Sequence, residues 1–370
     1  MAQKVKGKIV KNKKSTVWPK ILGFLKTLWS NSENMNYALS HKWYWAVLIG
    51  FVSLLLTLIA PTVHSFNVQG SSYVSSGASD AFYYGLYEYH QEANTYPISF
   101  ADGKLSGTYV VEKYDDYGTE TDSSVKIIKP YYTYVRQDLH VLDIYVTDRI
   151  TDDQVLLAQI IQSNPNYADA SASERENMKN EAYVRSSSFI FFSTDTVYSR
   201  VYNGTNAVAS ISGNYLHVKE VFTELSDTYK FDQVLSANLP ATGTNLEVHN
   251  QILKNYKSYA DQIYIDVKNQ QGLITLGIYS AINTGVILLM GFVIWLMCRG
   301  KSNPNRSLKI WHGWRIGAFQ ALTPAVLALV IGFIMSQFAA MGFVLVYSFR
   351  VMFLSMKHLR PAPVQQQGGR

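Results

Sequence analysis

The residues that most often carry chemistry are spread thinly along this sequence. It contains no Gly-rich phosphate loop, no His-Glu-x-x-His, no Gly-x-Ser-x-Gly elbow and only one cysteine, Cys298. No two histidines fall at the spacing of a shared metal ion. We therefore expect no cofactor, no metal site and a structural or solvated role for each of His41, His64, His90, His140, His217, His249, His312 and His358.

Acidic residues could in principle supply an acid/base pair or bind a cation. The candidates are Asp115-Asp116, Asp152-Asp153 and the separate residues Asp138, Asp143 and Asp148. The first pair lies in a Tyr/Gly-rich stretch, and the second is placed as a helix cap. We expect solvated charge at these positions, and hence no enzyme. An outward-facing hydrolase remains an alternative.

Small residues recur at helical spacing in two apolar stretches. Such stripes let a second helix approach closely. We expect both to be helix-docking faces, the second packing against the helix that carries the first. The first stripe is Gly277, Ala281 and Gly285, and the second is Ala321, Ala325, Ala328 and Gly332.

Two polar side chains, Asn283 and Arg350, interrupt the apolar stretches. Burying a polar group inside a membrane costs free energy, so each of these residues is a candidate for a functional role. Arg350 stands only seven residues before Lys357, so reaching towards the headgroups explains it equally well.

Tyrosine is unusually frequent, with 26 residues. Aromatic faces stack on sugars and line protein interfaces, so clustered tyrosines predict a binding surface. The alternative is that they pack the strands of a sheet. The candidate surface residues are Tyr83, Tyr84, Tyr87, Tyr131, Tyr132 and Tyr134.

The elements that hold these residues follow from hydropathy. Residues 43–61 predict a first membrane span that Pro61 ends, and residues 272–298 predict a second. Residues 319–356 predict two short spans that turn near Ser336-Gln337, with Pro324 in the first turn of the third span. We favour four spans, although one long tilted helix there would give three.

Charge predicts the orientation of these spans. Residues 1–42 contain nine Lys and one Glu, residues 62–271 contain 15 basic and 26 acidic residues, and residues after 271 contain nine basic residues and no acid. The positive-inside rule places residues 1–42, the loop 299–318 and the tail 357–370 in the cytoplasm and residues 62–271 outside. The basic regions adjoin apolar runs, so we expect contact with anionic lipids and not with nucleic acid.

The N-terminal residues 1–42 predict a basic arm followed by a helix over Trp18 to Trp29. Ile21, Leu25, Leu28 and Trp29 share a face of it, which is typical of a helix lying on the inner leaflet. A signal peptide is the competing interpretation, but no small-residue cleavage pattern follows Pro61. We expect the first span to stay as an anchor.

Residues 62–271 predict an extracytoplasmic α+β domain. Asp102-Gly103 is typical of a hairpin turn. Predicted helices begin at Ser79-Asp80 and at Thr151, a polar helix covers Ser171 to Asn180, and a juxtamembrane helix covers Leu246 to Val267. Predicted strands are Ile98 to Phe100, Leu105 to Val111, Val125 to Ile128, Leu139 to Val146, Ser188 to Phe192 and Val197 to Tyr202.

The order of these features resembles a Gram-positive family of uncharacterised membrane proteins that includes so-called maltodextrin-utilisation proteins. The resemblance rests on a basic start and one span, then Pro97 to Leu105, Val141 to Asp148, Phe189 to Tyr198 and Ala321-Leu322-Thr323-Pro324. It implies a plasma-membrane location, an outward domain and a link to sugar uptake, and it assigns no catalytic residues.

These patterns predict a non-enzymatic accessory or scaffold protein. Its outer domain would bind a partner protein or wall polymer, and its spans would dock on other membrane helices, of a partner or of a homo-oligomer. The alternative is a component of a transport system, linked to maltodextrin uptake by the resemblance. Four spans with few polar groups make a poor conduit alone.

Overall fold

The computed structural model describes residues 24–75, 80–109, 129–148, 153–162, 166, 171, 173–174, 185–202, 207–301 and 303–359. Residue contacts divide the chain into two compact units. Unit 1 comprises Met1–Phe66 and Gly272–Arg370, and unit 2 comprises Asn67–Gln271. The predicted division between membrane part and outer domain at residues 62 and 271 lies close to these limits.

Unit 1 contains only helical elements within its described residues. It begins with α1, described over 24–29, and α2, Asn31–Ser40. Four helices are long and apolar enough to cross a membrane, as the sequence predicted, and we call them spans 1 to 4. Span 1 is α3, Trp43–Asn67; span 2 is Ile265–Met297; span 3 is Ile310–Ile334; and span 4, Ser336–Lys357, contains the α-helix Ala339–Leu354.

Three predicted limits of the membrane helices are wrong. Span 2 begins at Ile265, not at residue 272, and so includes the end of the predicted juxtamembrane helix. Span 1 continues through Pro61 to Asn67, although proline lacks an amide hydrogen and disfavours a helix interior. Span 3 begins at Ile310, not at residue 319, so Arg315 lies inside it and Pro324 lies in its middle. The prediction took basic residues as loop, whereas aromatic and small residues around Arg315 continue the helix. The predicted turn at Ser336-Gln337 is confirmed as a 3-10 turn, Ser336–Phe338.

Unit 2 combines helices with two small sheets. Its helices are α4 Gly70–Ser75, α5 Asp80–Glu92, α6 Asp153–Gln162, α7 Val218–Val221, α8 Phe231–Leu235 and α9 Asn245–Ile263. Its strands are β1 Ser99–Ala101, β2 Lys104–Ser106, β3 Tyr132–Arg136, β4 Leu139–Val146, β5 Ser188–Phe192, β6 Thr196–Tyr202, β7 Ala207–Asn214 and β8 Thr228–Lys230.

The larger sheet has the strand order β3-β4-β5-β6-β7, and the smaller has β2-β1-β8. All neighbours are antiparallel except β4 and β5, which are parallel. Every residue of β5 is buried, because both faces of the sheet are covered. Ile190 and Phe192 face the main core, and Phe189 and Phe191 face a smaller core with α6.

Most predicted elements of unit 2 within the described residues are confirmed. The Asp102-Gly103 turn joins β1 to β2, and both residues have positive φ (53° and 72°), as a type I′ hairpin requires. Strand β2 is shorter than predicted, and β3, β7 and β8 were not predicted. The predicted strand Val125 to Ile128, the acids Asp115-Asp116 and most of Ser171 to Asn180 lie outside the described residues.

Candidate functional site

The first predicted docking stripe lies on an exposed face of span 2. Gly277, Ala281 and Gly285 are all exposed. A Cβ added at Gly277 or at Gly285 would meet no atom of the described residues within 4 Å. The stripe therefore packs against no other part of the described chain, and docking of a separate helix there stays a prediction.

The second stripe is used inside unit 1. Ala321, Ala325, Ala328 and Gly332 are all buried in span 3. A Cβ added at Gly332 would lie 2.6 Å from Ala60 Cβ of span 1 and 3.0 Å from Ala339 Cβ. The expectation that this end of the stripe packs against span 2 is wrong.

Different glycines bring spans 2 and 3 together. A Cβ added at Gly313 would lie 2.5 Å from the carbonyl oxygen of Gly291, and one at Gly317 would lie 3.0 Å from Gly291 Cα. Because only glycine allows this backbone approach, these three residues fix the crossing of the two helices. The sequence signal was the spacing of Gly313 and Gly317, which lay in the stretch predicted as loop.

Arg350 is tied to the segment that precedes span 1. Its side chain is buried, its Nε donates to Asn31 Oδ1 (3.0 Å), and an Nη donates to the carbonyl oxygen of Thr27 (2.6 Å). Its other Nη has no hydrogen-bond partner within the described chain. A buried guanidinium needs such acceptors. Arg350 therefore links span 4 to α1 and α2.

The segment α1–α2 packs along span 3. Thr323 Oγ1 donates to the carbonyl oxygen of Leu28 (2.7 Å), and Asn34 Nδ2 donates to that of Phe319 (2.8 Å). Arg315 donates to the carbonyl oxygen of His41. The two segments therefore run antiparallel.

The sequence predicted that the N-terminal helix lies on the inner leaflet of the membrane. It did not predict that this segment packs against span 3. The missed signal is the polar stripe Thr27, Asn31 and Asn34, which share one helical face of the described residues. The residues before 24, including Ile21, lie outside them.

Asn283 joins spans 1 and 2. It is fully buried, and its Nδ2 donates to Thr57 Oγ1 (2.9 Å), while its Oδ1 has no partner among the described residues. Sequence reasoning missed Gln320 of span 3, which is also fully buried and whose terminal oxygen and nitrogen both lack a partner within the described chain. Burying amide atoms without a hydrogen-bond partner costs free energy.

The tyrosine clusters only partly form a surface. Tyr83 and Tyr132 are buried in the main core (6% and 3% exposed), so the prediction that they lie on a surface is wrong. Their rings supply apolar area to this core, that of Tyr83 from helix α5 and that of Tyr132 from strand β3. Tyr131 and Tyr134 are half-buried against the same core.

Among the described residues of unit 2, one of the predicted tyrosine clusters keeps an exposed ring. Tyr84 is 43% exposed and stacks on His249, with ring centroids 4.6 Å apart. Tyr87 meets the same imidazole edge-on at 6.1 Å, and the Arg136 guanidinium lies 5.5 Å from the centre of the Tyr84 ring. Three elements thus build a cation–aromatic surface that could stack on a ring or a sugar.

A buried ion pair on the sheet was not predicted. Arg185 and Asp143 are both fully buried and form a salt bridge, and Arg185 also donates to Tyr145 OH (2.7 Å). Asp143 accepts from Thr133 and lies 3.0 Å from His140 Nδ1. Burial lowers the pKa of Arg185 to about 9, so the guanidinium stays charged at neutral pH. The expectation that Asp143 is solvated is wrong.

Within the described residues, no group of three or more His, Cys, Asp or Glu side chains is placed to hold a metal ion. Comparison with known proteins adds no relative. No protein-family model, no curated protein and no solved structure matches the chain. The resemblance to the Gram-positive membrane family therefore stays an expectation.

Proposed function

We propose that this protein is a non-enzymatic accessory or scaffold protein of the plasma membrane, whose span 2 docks on a helix of another membrane chain. The observation that carries this proposal is the exposed small-residue face of span 2. In its most apolar stretch 17% of residues are buried, against 61% in span 3. In lipid, where apolar burial gives little gain, helices associate through close van der Waals packing, which small residues allow, together with interhelical hydrogen bonds.

The proposed orientation places both chain termini in the cytoplasm and unit 2 outside. Four spans return the chain to its starting side. The distribution of Lys and Arg then fits the positive-inside rule, since residues 1–42 contain nine Lys and the chain after residue 271 contains nine basic residues, whereas the much longer segment 62–271 contains 15. We propose further that unit 2 binds a partner protein or a wall polymer, with Tyr84, Tyr87 and His249 as its recognition surface.

The test is crosslinking of the full-length protein in its own membrane, followed by affinity purification. Replacing Gly277, Ala281 and Gly285 by Leu adds bulk where the docked helix would lie. The recovered partner, which includes a second copy of this chain, is expected to fall at least about tenfold. The matched control, Ile278→Leu with Ile282→Leu, changes neighbouring exposed positions and should leave recovery unchanged. Equal recovery from both variants would contradict docking through this stripe.

A transport component is the second candidate. It is favoured by the buried amides of Asn283 and Gln320, which retain unpartnered polar atoms within the described residues. With Arg350, these are the groups that could line a path through an assembly. Flux of maltodextrin into liposomes that contain the protein and its crosslinked partner would favour transport, and its loss in Gln320→Leu would place the path in span 3.

A further inference from the structure

A groove lined almost entirely by apolar side chains lies between spans 1, 2 and 3. Its volume is about 410 Å³, within the range of small-molecule sites, which is about 300–1,000 Å³. Each of the three spans contributes a wall. The walls include Ala46, Gly50 and Leu54 of span 1, Thr284 and Leu288 of span 2, and Ala318 of span 3.

One end of the groove is aromatic and cationic. Trp43, Trp311 and Trp314 line it there, with the Trp311 ring centroid 6.4 Å from that of Trp43 and 6.1 Å from that of Trp314. Tryptophan is enriched at the level of the lipid headgroups. Arg315 lies at the same end, and its buried Nε has no hydrogen-bond partner within the described chain.

The length of the groove matches one leaflet. Along span 1 it extends from Trp43 to Leu54, which at about 1.5 Å per residue is roughly 17 Å. Half of the hydrocarbon core is about 15 Å, and a complete transmembrane helix needs about 30 Å of contact. The groove therefore fits an acyl chain better than a partner helix.

The charge of the surroundings selects the headgroup. Residues 272–318, which contain span 2, the loop after it and the start of span 3, include five basic residues and no acid. Lys42 adjoins Trp43, and Lys309 stands two residues before Trp311, so the mouth of the groove lies in a basic region. We propose that the groove binds one acyl chain of an anionic phospholipid, whose phosphate contacts Arg315. On span 2 the groove adjoins the docking stripe, because Thr284 and Leu288 stand three and seven residues after Ala281 on the same helical face.

Quenching of tryptophan by brominated lipids tests the proposal. In the full-length protein, Trp18, Trp29, Trp45 and Trp295 are replaced by Phe, so that the reporting rings are those at the groove. The protein is placed in phosphatidylcholine vesicles with increasing fractions of phosphatidylglycerol or phosphatidylcholine brominated on the acyl chain. Half-maximal quenching is expected at an at least threefold lower fraction of the phosphatidylglycerol.

Two pairs of variants locate the site. Arg315→Gln should abolish the lipid preference, whereas Arg315→Lys, which keeps the charge, and Arg299→Gln, which removes an equal charge outside the groove, should retain it. Thr284→Phe fills the groove and should at least halve quenching by both lipids, whereas Ile282→Phe, outside it, should not. Equal quenching by the two lipids in the reference protein would overturn the proposal, as would equal effects of Arg315→Gln and Arg299→Gln. A protein crosslinked stoichiometrically at Thr284, with no lipid quenching, would make the groove a helix-docking seam instead.

Discussion

At the scale of single residues, Asp143 shows how a charge becomes structural. It stands between Leu142 and Ile144, which face the main core, so alternation along β4 turns its side chain to the opposite face. That face is covered too, by α6 and the aromatic rings around Phe189. A carboxylate buried there needs a counter-charge, and Arg185 supplies it.

Removing one partner of this pair leaves the other charge buried and uncompensated. Arg185→Met is therefore expected to lower the free energy of unfolding of unit 2 by about 3–5 kcal/mol. The double variant Asp143→Leu with Arg185→Met should regain most of that loss, because apolar side chains can replace a buried ion pair. The measurement is urea-induced unfolding of the full-length protein in detergent, followed by near-ultraviolet circular dichroism.

The exposed pair Lys104–Asp195 provides the control. Its Nζ–O distance is 3.2 Å and both side chains are largely exposed (61% and 47%). Lys104→Met should change the free energy of unfolding by less than about 1 kcal/mol. If the double variant Asp143→Leu with Arg185→Met is no more stable than Arg185→Met alone, the loss in the single variant does not come from leaving Asp143 without a counter-charge.

At the scale of elements, the periodicity of apolar residues located most helices and strands. It did not predict which other elements they contact. Strands β4 and β5 were predicted at their observed limits, because β-branched and aromatic runs are local signals. The start of span 3 was missed since Arg315 counted against a helix in lipid, whereas its hydrogen bonds to Leu39 at the end of α2 and to His41 depend on a segment 274 to 276 residues away. The sequence identified Arg350 as unusual, but its partners Thr27 and Asn31 could not be inferred from local pattern.

The first turn of the helix that forms span 2 contacts His217, which immediately precedes α7. Its Nε2 lies 3.1 Å from Asp266 Oδ1, and its Nδ1 lies 2.7 Å from Glu220 Oε1. Asn214 at the end of β7 donates to the other Asp266 oxygen (2.7 Å). The hydrogen bond to Glu220, and then that to Asp266, raise the pKa of His217 above its ordinary 6.5. These contacts connect three elements of unit 2.

The pH dependence of this contact has a definite sign. Because the folded-state pKa of His217 is raised, its contribution to stability is complete below the unfolded pKa, about 6.5, and is lost as the pH rises through the folded value. The melting temperature of the wild type should therefore exceed that of His217→Gln most at pH 5.5, and the difference should shrink by pH 9. Glu220→Gln should move this loss to lower pH. A difference that grows with pH would contradict the assignment.

At the scale of the whole molecule, the two units differ in what stabilises them. Unit 2 has a main core formed entirely by residues between Val74 and Tyr264, so its apolar burial is internal. Unit 1 also packs apolar side chains of its spans together, among them Ile294, Phe319 and Phe343, and it adds glycine contacts, side-chain hydrogen bonds and the Arg350 link to α1 and α2. The sequence predicted this division from hydropathy and charge alone. It could not predict which faces of the spans are used within the chain, since small-residue stripes look alike whether or not a neighbour covers them.

Unit 2 is expected to fold by itself, because contacts within it join its two ends. The backbone amide of Ser71 in α4 donates to Asp261 of α9 (2.7 Å), and a Cβ added at Gly70 would lie 2.0 Å from the carbonyl oxygen of Ala260. A fragment of residues 67–271 should therefore unfold cooperatively in urea and keep its near-ultraviolet spectrum. A fragment of residues 80–271, which lacks α4, should unfold at a clearly lower urea concentration, since the packed side of α9 is then exposed to water. Equal midpoints for the two fragments would show that α4 is not part of the folded unit, and a fragment 67–271 without cooperative unfolding would show that this unit depends on the membrane helices.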